Sequence, residues 1–157
     1  MPDLYLQLPF FLKLTPKEQQ RLFRYLYMLD MPAGHAPYQQ GSIAVSGYLL
    51  LKGSVELVRD KENRPADRLR LVLPGQFFGL ALFLDQDGRH AETALTCEPC
   101  QTVALVRQEY QALQKHNPQL AIKVLQQVQS ELYQEWIKAR EEYHALSDRL
   151  TQARILI

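Results

Sequence analysis

Two cysteines in 157 residues are too few for a disulfide-stapled scaffold, and a chain this long buries a core without one. Cys97 and Cys100 are also the whole thiolate supply, short of what an iron–sulfur centre takes and without the second pair of a structural zinc site. Neither sign of charge is in surplus. The 18 Lys and Arg against 17 Asp and Glu leave +1, which excludes polyanion binding through a bulk basic surface. No apolar run approaches the roughly 20 residues of a membrane span. The stretch from Met1 to Phe11 has no basic segment before its apolar residues, and Pro9 interrupts it; it does not read as a signal peptide, and the expected location is the cytoplasm. Serine elbows, glycine-rich loops before a helix and His-Glu metal motifs are all missing, so no enzymatic activity is expected.

What is present is an ordinary globular composition, 46% hydrophobic and 22% charged. Thr15, Pro16 and Glu18 spell a capping box with proline at the first helical position. Leu22, Leu26 and Leu29 follow at helical spacing, which predicts a helix reaching about Leu29 and stopping before Pro32. From Gly34 onward glycines and prolines punctuate short apolar runs, the pattern of strands joined by turns. Tyr48-Leu49-Leu50-Leu51 reads as a buried strand, with Val55 and Leu57 in the next. A polar loop from Asp60 to Asp67 separates these from a strand at Arg68–Leu73, giving a hairpin with one wet face. Phe77-Phe78-Gly79 follows the Pro74-Gly75 turn, and strands at Ala91–Cys97 and Thr102–Val106 hinge at Glu98-Pro99. Residues 34–106 thus read as all-β, with a spacing that suits a barrel or sandwich.

Helix returns at Gln108–Lys115, and Asn117-Pro118 opens a segment with no further Gly or Pro. Leu125, Val128, Leu132, Trp136, Ala139, Tyr143 and Leu146 recur in steps of three or four, a coiled-coil-like seam. Ser147-Asp148 reads as a cap dividing a long helix, 118 to about 146, from a short one. A helix of that length outruns a compact domain's own surface, so part of the seam is expected to join a second copy. The competing reading folds every apolar residue of the seam into the monomer core. Basic and acidic residues balance along this helix, which leaves no DNA-gripping face.

The order of these elements, with Gly34, Gly41, the Tyr48–Val55 run, Leu73-Pro74-Gly75-Gln76-Phe77-Phe78-Gly79, Arg89-His90-Ala91 and Asn117-Pro118, resembles the cyclic-nucleotide-binding sensor half of Crp/Fnr-type transcription regulators. The resemblance implies a mainly β fold with flanking helices (α+β). In it, residues 1–116 form a jelly-roll-like β-roll and residues 117–157 a long dimerisation helix with the start of a short one. It also implies a phosphate cassette holding an effector at Gly79, Leu80, Ala81, Leu82, Arg89, His90 and Ala91, with Arg89 as the anion contact. The family carries a glutamate after the cassette glycine, the natural acceptor for a ribose hydroxyl; here Leu80 stands there. His90 replaces a small hydroxyl residue, and Asp85 and Asp87 add negative charge. Strong cyclic-AMP binding is not expected from such a cassette, and the effector is a cyclic nucleotide, another small anion or none. The expected function is ligand sensing and homodimerisation, with DNA contact only through a C-terminal domain beyond this chain. The alternative is a ligand-free dimerisation or protein-interaction domain.

The remaining candidates have plain readings beside sharper ones. Cys97 and Cys100 read as packing residues, with a local disulfide or half a metal site as alternatives. His35, His90, His116 and His144 lack ligand spacing, so no metal site is expected; His144 beside Tyr143 is the weak candidate for haem. Tyr133 and Trp136 are placed to stack on a base at the roll's mouth or, more simply, to fill an interface.

Overall fold

The computed structural model describes residues 6–84 and 87–155. A four-residue helix, α1 (Pro9–Leu12), precedes α2 (Pro16–Phe23), whose Thr15 side chain accepts from the Glu18 N–H while Glu18 reaches back to the Thr15 N–H. The α2 helix ends earlier than the Leu22, Leu26, Leu29 spacing suggests. Leu26–Met31 is instead strand β1, paired residue by residue with the last strand, so its backbone finds a sheet edge where the isolated pattern promised a helical turn. The β region therefore begins at residue 26.

Strands β2 (Ser46–Lys52), β3 (Val55–Lys61), β4 (Arg64–Val72), β5 (Phe77–Phe78), β6 (Thr93–Thr96) and β7 (Cys100–Val106) complete two antiparallel sheets, ordered β1-β7-β2-β5 and β4-β3-β6. The expected polar loop at 60–67 is the end of a hairpin. β3 and β4 pair out to Lys61–Arg64, and Asn63 takes the positive φ (56°) that the two-residue turn demands. Pro65 is tolerated because β4 is an edge strand.

The β2 run Tyr48-Leu49-Leu50-Leu51 is continuously apolar because β2 is covered on both faces. Tyr48 and Leu50 join Val55, Leu57, Val72, Phe78 and Ala104 inside the roll. Leu49 and Leu51 face a second cluster, built with Phe11, Leu22, Leu113, Leu120 and Val124 from the helices.

After β7 come α3 (Arg107–His116) and α4 (Pro118–Ile155), the latter unbroken over 38 residues, about 57 Å. Ser147-Asp148 does not interrupt it: neither residue forbids helical backbone, and the Thr151 hydroxyl donates to the Ser147 carbonyl at 3.0 Å along the helix. The seam divides between two fates. Val128 is 3% exposed within the monomer core, and Leu125 packs against the Leu82, Leu105 and Tyr110 cluster, so these two belong to the monomer. Leu132 (48% exposed), Trp136, Ala139, Tyr143 and Leu146 are open. Lys123 binds Glu18 at 2.6 Å, tying α4 to the capping box of α2.

Candidate functional site

Pro74-Gly75 reverses the chain after β4, and β5 hands it to Gly79, which sits at φ 71° against β2. A Cβ at Gly79 would lie 3.0 Å from the Tyr48 ring, 3.1 Å from the Ser46 carbonyl oxygen and 3.2 Å from the Tyr38 ring. Only glycine fits a backbone that is both left-handed and pressed against two rings. Its N–H donates to the Tyr38 hydroxyl at 3.1 Å, and that hydroxyl donates to Glu92 at 3.2 Å. Burial keeps the Tyr38 phenol protonated far above the ordinary range, with the Glu92 charge acting the same way. Leu80–Phe83 then forms a single 3-10 turn, with Leu82 fully buried beneath it.

These elements enclose a cavity of about 420 Å³. Gly79, Leu80, Ala81 and Leu84 form one wall; Arg89, Ala91 and Glu92 form a second. Leu57 of β3, Leu69 and Arg70 of β4, and Leu132 of α4 close the rest. Arg89 is exposed, pairs in an isolated bridge with Ile43, and donates through Nη1 to the Gly41 carbonyl at 2.8 Å. Of the suggested acidic neighbours, Asp85 lies outside the described residues, and Asp87 is exposed.

Of the seven cassette residues expected from the sequence, Gly79, Leu80, Ala81, Arg89 and Ala91 line the cavity together, while Leu82 and His90 do not. His90 turns inward, 4% exposed, and stacks on Tyr38 with ring centroids 3.7 Å apart. Its Nδ1 has no hydrogen-bond partner, and burial pushes its pKa below the usual value. His90 is thus a floor plate under the Tyr38–Gly79 contact and not part of the cavity lining.

Arg70 and Glu92 are the polar lining groups that sequence reasoning missed, beside Leu57, Leu69 and Leu84. Arg70 belongs to the Arg68-Leu69-Arg70-Leu71 alternation, expected to have one wet face. In the structure Arg68 and Leu71 are exposed, Leu69 lines the cavity while staying partly open, and Arg70 is half-buried between the cavity and α4. Its Nη2 donates to the Phe77 carbonyl at 3.4 Å and lies 3.6 Å from Glu131, while Nε stays 3.8 Å from Glu135 and makes no hydrogen bond. Glu131 in turn accepts the Phe77 N–H on both carboxylate oxygens, at 2.9 and 3.2 Å. Burial raises the Glu131 pKa, with the Phe77 N–H and Arg70 pulling it back down. No local sequence signal marked Arg70, because its role depends on α4, with Glu131 and Glu135, crossing that part of β4.

Among the described residues no group of three or more histidines, cysteines or acids sits where it could hold a metal. Cys97 is exposed and Cys100 buried, both as free thiols. His144 is exposed beside Tyr143 on α4. Tyr133 and Trp136 contact each other, with the Arg140 guanidinium 4.7 Å from the Trp136 ring centre; neither aromatic lines the cavity.

A β-roll closed by a long helix around a glycine-and-arginine cassette defines the class of cyclic-nucleotide-binding sensor folds. The sequence matches the cyclic nucleotide-binding domain over residues 28–117. The chain belongs to that family and is homologous to Crp/Fnr-type proteins. A cyclic AMP receptor protein of Thermus thermophilus is 31% identical over 113 residues, 72% of this chain and 52% of the relative. The chain thus spans about half the length of the curated relative it matches. The crystal structure of the Thermus thermophilus catabolite activator protein superposes with a TM-score of 0.69 at 27% identity, covering 84% of this chain and 62% of that one. A cyclic nucleotide-binding domain from Methylobacillus flagellatus gives 0.76 at 19% identity, covering 89% and 78%, which supports the fold alone.

Proposed function

We propose that this chain is the effector-sensing and dimerisation module of a Crp/Fnr-type transcription regulator, with DNA contact made by a separate C-terminal domain. The carrying observation is that Leu132 of α4 closes the cavity, while Glu131 beside it holds the β5 backbone and Arg70. An effector contacting Leu132 and Arg70 touches the helix and its clamp at once, so occupancy biases how α4 sits. Arg89, fixed by the Gly41 carbonyl, supplies the anion contact, and the Gly79–Ala81 segment with Ala91 provides the close walls. The signal leaves along α4, whose outer half carries Trp136, Tyr143, Leu146 and Leu150 in the open. Leu71 and Leu73 of the β4 side are exposed as well, and a second copy is the natural cover for these apolar residues. The exposed Cys97 thiol suits a reducing cytoplasm, to which we assign the protein.

Leu80 favours a second reading, a ligand-free dimerisation domain, because it removes the carboxylate that would hold a ribose. One experiment separates the two. Trp136 is the sole tryptophan and lies one turn beyond Leu132, so its emission reports on α4. The sensing reading expects a dimer by sedimentation and a Trp136 shift on titration with a cavity ligand. A chain that stays monomeric at tens of micromolar, a working range for weak association, refutes the dimerisation half. A dimer whose Trp136 responds to no ligand returns the protein to the second reading.

A further inference from the structure

We infer that the effector is an amphipathic organic monoanion, a carboxylate head on an apolar body, and not a cyclic nucleotide. The inference rests on the cavity being the effector site and names the ligand class for it. Leucines 57, 69, 80, 84 and 132 dominate the walls. A nucleotide carries ribose hydroxyls and base edges around its rim, and leucine offers them no partner, whereas an alkyl or aryl body matches such walls. Glu92 is the lining carboxylate, and its Oε1 already accepts the hydrogen bond of the Tyr38 hydroxyl at 3.2 Å.

The head is read by the two arginines. Arg89 is braced at the cavity edge by the Gly41 carbonyl. Arg70 is held loosely, with its Nε lacking an acceptor and its Nη2 at 3.4 Å from a carbonyl and 3.6 Å from a carboxylate. A ligand carboxylate provides the short, charge-assisted acceptor that Arg70 lacks. Charge sets the valence. Arg70 already has Glu131 and Glu135 at 3.6 and 3.8 Å, and Glu92 shares the wall that carries Arg89, so the site favours one negative charge over two. The cavity, at about 420 Å³, falls in the ordinary range of small-molecule sites and has room for such a body with its head.

Calorimetry on the 157-residue chain tests this with octanoate and 4-phenylbutyrate as amphipathic acids, acetate and inorganic phosphate as heads without bodies, and cyclic AMP. The expected result is that the two acids bind, acetate and phosphate do not at the same concentration, and cyclic AMP is at least about tenfold weaker. Arg89→Gln, at an exposed position, keeps the fold and weakens the acids by about ten- to hundredfold; Leu84→Asp weakens them from the body side. Circular dichroism melting confirms that both variants are folded. Cyclic AMP binding more tightly than either acid overturns the ligand class and leaves the effector site standing. Acids that bind both variants as well as wild type lie outside this cavity and overturn the inference. Silence from every probe at millimolar concentration overturns the effector site along with it.

Discussion

Replacing Gly79 by alanine isolates how the cassette is held, because it adds a single carbon at a crowded, left-handed position. An L side chain at φ 71° costs about 1–2 kcal/mol in backbone strain. The new Cβ also meets the Tyr48 ring at 3.0 Å, a carbonyl oxygen at 3.1 Å and the Tyr38 ring at 3.2 Å. The oxygen is backbone of β2, and the rings are buried and stacked in line with Phe78 and His90. None can retreat freely, so overpacking adds about 1–3 kcal/mol. The expected loss is about 3 kcal/mol, or a fall in melting temperature of about 6–12 °C for a domain of this size. Gly41→Ala is the matched control: φ is 83° and nothing lies within 4 Å of its Cβ, so it carries the strain without the collision. Urea titration of both variants, read by circular dichroism, measures the difference. Losses equal to within about 0.5 kcal/mol would refute the claim that Tyr38 and Tyr48 grip the cassette, since the strain part is common to both.

The helix α4 gives a contrast of its own. Val128→Ala should cost about 2 kcal/mol of monomer stability through lost burial and cavity, whereas Leu132→Asp should leave the monomer's urea midpoint nearly unchanged and shift sedimentation toward monomer; the reverse pattern would mean the seam is wrongly divided. Removing the helix clamp with Glu131→Ala leaves the Phe77 N–H without its acceptor and Arg70 without its nearest carboxylate, an expected loss of about 2 kcal/mol, with faster amide exchange at Phe77; unchanged exchange there would show that Glu131 does not hold β5. Stability should fall as pH drops below about 6.5, because unfolded His90 takes a proton that buried His90 resists, so the unfolded state binds more protons. This loss is bounded by about 1.4 kcal/mol per pH unit, and His90→Gln should flatten that part of the urea-midpoint profile between pH 7 and 5.5.

The parts of the fold legible from sequence were those where local pattern and tertiary fate agree. Thr15-Pro16-Lys17-Glu18 caps a helix in any context, and the capping box forms as spelled. Tyr48–Leu51 was readable as buried because a sheet covered on both faces needs no alternation. Leu26 and Leu29 misled because three-residue spacing also fits a strand whose neighbours are long and half-exposed, and the deciding partner, β7, lies some seventy residues on. Ser147-Asp148 misled for the opposite reason: capping residues offer an alternative to helix without imposing it, unlike Gly or Pro. Gly79 and Arg89 were picked out by the family resemblance, and both line the cavity. The site was illegible at Arg70, whose role depends on which face of an edge strand meets α4.

Leu80 shows why this scaffold tolerates a changed site. Its side chain lines the cavity and also packs against the cluster that holds Phe11, Leu22 and Val124. A carboxylate at that position would face the ligand at the expense of this contact, whereas leucine serves the helix-facing core. The cassette's shape does not depend on the choice, since it is set by the Gly79 backbone, by the Tyr38 hydroxyl between Gly79 and Glu92, and by His90 stacked beneath. Shape and ligand chemistry are therefore carried by different residues. The walls can turn from polar to apolar without disturbing the backbone that positions Arg89, and Leu132 and Arg70 line the cavity whichever residue stands at position 80.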